Sequence, residues 1–89
     1  MVAWKLLFSK KAQTHAKNLK KAGLEHKAEK ILDEMKLDPY NPLHGFEKLV
    51  GDLKGFYSRR INLKHRIVYQ VDKEKLTIFV HAMWSHYEQ

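Results

Sequence analysis

At 89 residues the chain has room for one core, and a single domain over 1–89 is expected. A hydrophobic content of 44%, with four Phe, two Trp and four Tyr, excludes intrinsic disorder, while a net charge of +7 and a pI near 9.7 point to an anionic partner: nucleic acid, an anionic membrane surface or an acidic protein. The absence of cysteine excludes a disulfide framework, a thiolate metal site and a thiol nucleophile.

Val2, Trp4, Leu6 and Phe8 alternate with Ala3, Lys5 and Leu7, which predicts a strand over 2–8 with one buried face. The same opening is too short and too interrupted for a secretory signal, and no apolar run approaches the roughly 20 residues that span a bilayer, so a cytoplasmic protein without a membrane partner is expected. Ser9 suits the N-cap of a helix on which Ala12, Ala16, Leu19 and Ala22 recur at helical spacing, with Gly23 as its stop. A second helix carries Leu24, Ala28, Ile31, Leu32 and Met35 on one face and its charges elsewhere; those charges are a solvated surface. Asp38 before Pro39 ends the helices near 37, and the chain to Gly45 has the composition of a compact loop.

Beyond Gly45 the pattern changes to strands. Residues 46–49 can pair briefly, 55–61 and 65–71 are rich in aromatic and β-branched residues, and 76–82 alternates Ile78 and Val80 with Thr77, Phe79 and His81. Short turns at 62–64 and 72–75 join them into an antiparallel meander, to whose edge the first strand can add, and the tail from Met83 can supply a short last strand. The expected fold is α+β: two N-terminal helices packed on a mainly antiparallel twisted sheet, in the order β-α-α-β-β-β before any tail strand.

The stretch from Glu47 to Arg66 holds six Lys/Arg against Glu47 and Asp52. Arg59, Arg60 and Arg66 fall on predicted strands, where guanidinium groups can converge on a phosphate. Cutting RNA without a metal needs a base for the 2′-hydroxyl, cations for the phosphorane and an acid for the leaving 5′-oxygen. Glu47 is the carboxylate nearest the cluster; burial would raise its pKa and arginines would lower it. Of six histidines, His15 and His26 lie among lysines on the helices and are expected to be exposed, and His44 sits in the Pro/Gly loop. In a strand His65 points away from Arg66, while His81 and His86 can return beside the arginine strands. Strand geometry scatters His81, His86 and Glu88 too widely for a metal site. Trp84 and Tyr87, flanking His86, suit either base stacking or core packing.

Glu47, the run Leu53-Lys-Gly-Phe-Tyr-Ser-Arg-Arg-Ile-Asn-Leu-Lys-His-Arg-Ile-Val-Tyr69 and the closing His86-Tyr87 resemble the YoeB/Txe branch of the RelE-like toxins of bacterial toxin–antitoxin pairs, over essentially the whole chain. The resemblance implies a RelE-like microbial ribonuclease fold and a ribosome-dependent messenger RNA interferase that cuts in the ribosomal A site, leaves 2′,3′-cyclic phosphate ends without metal or cofactor, and is inhibited by a cognate antitoxin of the YefM/Axe type. Carried over by position, Glu47 would be the general base, Arg66 the residue that stabilises the scissile phosphate, and His86 the general acid. Tyr87 would shape the site or stack on substrate, and Arg60, Arg59 and Lys48 would contact RNA. Two departures stand out. Val50 occupies a position where the family sometimes has lysine, which shifts that phosphate contact to Lys48 or removes it. The segment from Leu76 to His86 is about two residues longer than in the shortest members, which opens the register of the last strand and keeps His81 as the alternative acid. A noncatalytic RNA- or ribosome-binding module, or a gyrase-poisoning toxin of related fold, is the competing reading; monomer, homodimer and antitoxin complex are all compatible with the sequence.

Overall fold

A computed structural model describes residues 3–85, without the side chain of Ser85. Its elements in chain order are β1 (Lys5–Phe8), α1 (Lys10–Lys21), α2 (Glu25–Leu37), β2 (Glu47–Lys48), a 3₁₀ turn (Gly51–Leu53), β3 (Tyr57–Arg60), β4 (Arg66–Asp72) and β5 (Thr77–Ser85). The strands form one sheet in the order β1-β5-β4-β3-β2. Among the described strands only β1 runs parallel to its neighbour, β5; the other pairs are antiparallel. The expected α+β arrangement of two helices on a mainly antiparallel sheet is what forms.

Local chemistry accounts for the boundaries. Ser9 has extended backbone and its Oγ accepts from the Ala12 amide at 3.0 Å, the N-cap geometry, while donating to the His81 carbonyl at 2.9 Å and so tying the helix start to β5. At the other end of α1, the Leu24 amide bonds to Leu19 O and the Gly23 amide to Lys20 O, with Gly23 at φ +75°. That is a Schellman stop, closed by Leu24 packing into the same cluster as Leu19. Because Leu24 serves this contact, α2 begins without a side-chain cap. The first strand is shorter than 2–8: the Trp4 amide bonds to Lys36 O at the end of α2, and pairing with β5 can begin only at Lys5↔Thr77, where β5 itself begins. Val2 lies outside the described residues.

Both helices cover one face of the sheet. Ala12, Leu19, Ala28, Ile31 and Met35 meet Ile61, Ile67, Tyr69, Ile78, Val80 and Met83 in the main core. On the opposite face a smaller cluster, Leu49, Val68 and Ala82, is covered by Leu53 of the 3₁₀ turn and by Phe56, the residue before β3. The central strand β4 is therefore apolar on both faces at Ile67, Val68 and Tyr69.

Met83–Ser85, where a separate short strand was expected, prolong β5 instead. From Tyr69↔Val80 to Arg66↔Ser85 the ladder advances three residues on β4 but five on β5, with register shifts on either side of Val68. Two extra residues are thus absorbed as bulges along β5.

Candidate active site

Strand parity decides which arginines share a surface. Along β3, Tyr57 and Arg59, followed by Ile61 just past the strand, alternate with Ser58 and Arg60, and the pairs Arg59↔Ile67 and Tyr57↔Tyr69 belong to the helix-covered face. Arg60↔Arg66 and Ser58↔Val68 belong to the open face. Glu47, opposite Ser58 across β2 and β3, joins them there.

The open face brings Glu47 and Arg66 into direct contact: Arg66 Nη1 donates to Glu47 Oε2 at 2.9 Å, across the intervening β3. The carboxylate side chain stays 43% exposed, within reach of a solute, while Arg66 is 17% exposed and held in place. Arg60 is exposed and lies directly opposite Arg66, so two guanidinium stems start within about 5.5 Å of one another beside one carboxylate. Ser58, between Glu47 and Val68 in the same cross-strand row, is fully buried, and its hydroxyl finds no hydrogen-bond partner among the described residues. Lys48 is exposed on β2 with the opposite parity to Glu47.

Arg59 is the departure from the expected group of surface cations. It is 1% exposed, and its Nε, Nη1 and Nη2 donate to Tyr69 Oη (3.0 Å), Leu43 O (2.8 Å) and Pro39 O (3.0 Å). The guanidinium also lies 5.0 Å from the centre of the Phe46 ring. Tyr69 donates in turn to Pro39 O at 2.7 Å. Burial pushes the Tyr69 phenol up to about 12 against the opposing pull of Arg59, so it remains a hydroxyl donor. Arg59 therefore pins the loop from Pro39 to Phe46, which delivers Glu47, and offers no surface charge. The Arg60 amide reinforces this by donating to His44 O at 2.6 Å, where His44 and Gly45 both take positive φ. A hydrogen bond between His44 Nε2 and the Glu34 carboxylate joins the loop to α2.

The histidines sort differently from expectation. His81 shares the open face, but its Nε2 bonds to Gln70 Oε1 at 2.8 Å and its ring packs 5.0 Å from Phe56. Gln70 is four residues along β4 from Arg66, roughly 13 Å away, so His81 stands apart from the Glu47–Arg66 pair. Burial lowers its pKa. His15, expected on the exposed surface of α1, is half-buried, and its Nδ1 accepts from the Met83 and Trp84 amides at 3.0 and 3.1 Å. The predicted acid His86 and its neighbour Tyr87 lie outside the described residues. Among the described residues no group of three or more His, Asp or Glu is placed to hold a metal ion, and no helix is long and apolar enough to cross a membrane.

Ser58 and Arg59 could both have been sorted from the sequence by period two, since Arg59 shares parity with Tyr57 and Ile61 and Ser58 with Arg60. For His15 the signal was helical rather than strand periodicity: it stands three residues after Ala12 and four before Leu19, on the face they bury, while its partners are backbone amides far away in sequence.

Comparison with known proteins agrees with this architecture. The model of a family described as the YoeB-like toxin of bacterial type II toxin–antitoxin systems matches residues 10–87. A "Toxin YoeB" of Mycobacterium bovis is 35% identical over 49 residues, which is 55% of this chain and 58% of the relative, so the match spans less than two thirds of that protein. Among solved structures, a YoeB/ParE toxin from Agrobacterium tumefaciens superposes with a TM-score of 0.85 at 28% identity, covering 93% of this chain and 99% of that one. The YoeB–YefM toxin–antitoxin heterotetramer from Staphylococcus aureus gives 0.79 at 30% identity, covering 94% and 98%.

Proposed function

Since this chain belongs to the YoeB-like toxins of bacterial type II toxin–antitoxin systems, we propose that it is an endoribonuclease that cleaves messenger RNA in the ribosomal A site and thereby stops translation. The observation that carries the reading is the Glu47–Arg66 contact at 2.9 Å on an exposed sheet face with Arg60 alongside. A carboxylate and a guanidinium at that separation match the two neighbouring groups of an RNA linkage, the 2′-hydroxyl and the phosphate it attacks.

In this mechanism an incoming phosphate takes over the Arg66 donors, and the released Glu47 carboxylate meets the 2′-hydroxyl. Glu47 accepts the hydroxyl proton as the 2′-oxygen bonds to phosphorus. Arg66 neutralises the charge that grows on the equatorial oxygens, an interaction stronger in the transition state than in the ground state. The bond from phosphorus to the 5′-oxygen then breaks, with His86 supplying the proton to the leaving oxygen. The products are a 2′,3′-cyclic phosphate and a 5′-hydroxyl. Tyr87 orients or stacks on substrate, and Lys48 and Arg60 hold flanking phosphates. Arg59 acts on this site through the loop it pins.

An antitoxin of the YefM type is the partner we assign, in the cytoplasm. Its acidic segment would cover the cations that RNA would otherwise touch, in keeping with the net charge of +7.

The test is primer extension on a defined message in translating ribosomes. Wild type should give cuts at A-site codons, and Glu47→Ala, Arg66→Ala and His86→Ala should each lower the rate by about 10²–10⁴-fold while keeping the thermal unfolding transition. Cuts that persist in His86→Ala would move the acid role elsewhere. A wild type that stalls ribosomes without cutting would make the protein a noncatalytic binder and sink the mechanism.

A further inference from the structure

His15 stands in the middle of α1, between Thr14 and Ala16, yet its Nδ1 reaches across to β5 and accepts from two consecutive backbone amides, Met83 at 3.0 Å and Trp84 at 3.1 Å. In a regular antiparallel ladder consecutive amides point to opposite sides of the strand, so one acceptor cannot serve both. Here it can, because Met83 and Trp84 lie in the second bulge: Val68↔Ala82 and Arg66↔Ser85 are two residues apart on β4 but three apart on β5. The bulge leaves amides without ladder partners, and a side chain from the helix layer takes them. Since a backbone N–H can only donate, Nδ1 must be unprotonated, with the ring hydrogen on Nε2.

What the bulge positions is the next residue. Ser85 pairs with Arg66, and the Trp84 ring stacks on His65, the residue before Arg66, with centroids 3.7 Å apart and planes 14° apart. His15, the bulge, the Trp84–His65 stack and Arg66 thus form a continuous path from α1 to the guanidinium that would hold the scissile phosphate.

We propose that His15 is a positioning residue for this site: its neutral imidazole locks the bulge that sets the register of β5 against Arg66, and protonation of the ring unlocks it. The inference rests on the ribonuclease reading for its catalytic consequence, but the lock itself does not. The groups that bear on the ring are Lys11, one turn earlier on α1, and His65 from the turn between β3 and β4; β5 presents backbone amides. Glu25 and Glu29 of α2 line a groove with Ala16 and Lys17 to which His15 does not contribute, and on β1 the charged residue is the exposed Lys5. Burial, then Lys11, then His65 all lower the His15 pKa, so the neutral lock prevails at neutral pH and is lost on acidification.

Asparagine places Oδ1 where histidine has Nδ1 and cannot be protonated, which makes the decisive comparison wild type, His15→Asn and His15→Ala. Backbone amide NMR of the free protein from pH 7.5 to 5 should show the Met83 and Trp84 signals titrating together with the His15 ring in wild type and staying flat in His15→Asn. In ribosome cleavage at pH 7.5, His15→Ala should lose about 10²-fold in kcat with KM held, and His15→Asn should restore most of it. On acidification the wild-type rate should fall relative to His15→Asn, a ratio from which the titration of His86 cancels. Amides in wild type that ignore both pH and substitution, or a His15→Ala variant with wild-type kcat, would overturn the proposal. If the wild-type protein does not cut at all, the ribonuclease reading fails and the amide titration alone decides the lock.

Discussion

Arg59 and Arg60 are adjacent and chemically identical, and they do opposite things. Arg60 is exposed beside Arg66, whereas Arg59 spends its donors on two loop carbonyls and a phenol, with no carboxylate paired to it among the described residues. A buried guanidinium satisfied by neutral dipoles is tolerable only while every partner is present. Replacing Arg59 with Leu strands Leu43 O and weakens the anchoring of Pro39 O, for a loss of about 2–4 kcal/mol. Lysine cannot rescue it, because one ammonium cannot span three acceptors held in a planar fork. Urea unfolding of wild type, Arg59→Leu and Arg59→Lys checks this: both variants should unfold at clearly lower urea, and an Arg59→Lys midpoint equal to wild type would show that charge alone matters. The same test separates Arg59 from Arg60, whose replacement should cost RNA binding and little stability.

Among the elements, β5 carries the most. It is flanked by β1 and β4, tied to the start of α1 through Ser9 and to its middle through His15, and it absorbs two extra residues before meeting Arg66. It also carries His81 and the amides that His15 accepts, which gives the fold a pH dependence of definite sign. His81 and His15 are driven below the ordinary value of 6.5 mainly by burial. Between the lowered folded pKa and 6.5 the unfolded chain binds more protons than the folded one, so stability is full above about 6.5 and declines as pH falls toward the folded values. The urea midpoint measured from pH 7.5 to 5 should therefore drop, and the combined variant His15→Asn, His81→Gln, which keeps an acceptor at one site and a donor at the other, should flatten that drop. A midpoint that rises on acidification would contradict the sign. Helix α1 was legible as an element from Ser9, the apolar spacing and Gly23, and the spacing of His15 from Ala12 and Leu19 puts it on the buried face; its use as a brace for β5 was not legible, since its partners are amides 68 and 69 residues away.

At the scale of the whole molecule, a charge of +7 makes phosphate contact salt-sensitive. If Lys48, Arg60 and Arg66 each meet one phosphate of a single strand, the logarithm of RNA affinity should fall with the logarithm of salt with a slope of about −2, and Arg60→Ala should make it shallower by about 0.7. Filter binding of a short single-stranded RNA to an uncleaving Glu47→Ala protein, at several salt concentrations, measures this; a slope near zero would mean that the cationic face does not bind backbone phosphate. The sequence by itself determined a basic chain, an α+β order with two helices between a first strand and the meander, the stops at Gly23 and Asp38, and the candidacy of Glu47 and Arg66, because composition, caps and period-two patterns are local and the long motif around Arg66 is contiguous. Period two already separates Arg59 from Arg60; only the tertiary structure decided which loop Arg59 pins, that Glu47 meets Arg66 across β3, and that β5 bulges against His15. Each of these depends on strand parity and register, which are set by pairing between residues distant in the chain, and a slip of one residue would exchange every buried side chain for an exposed one.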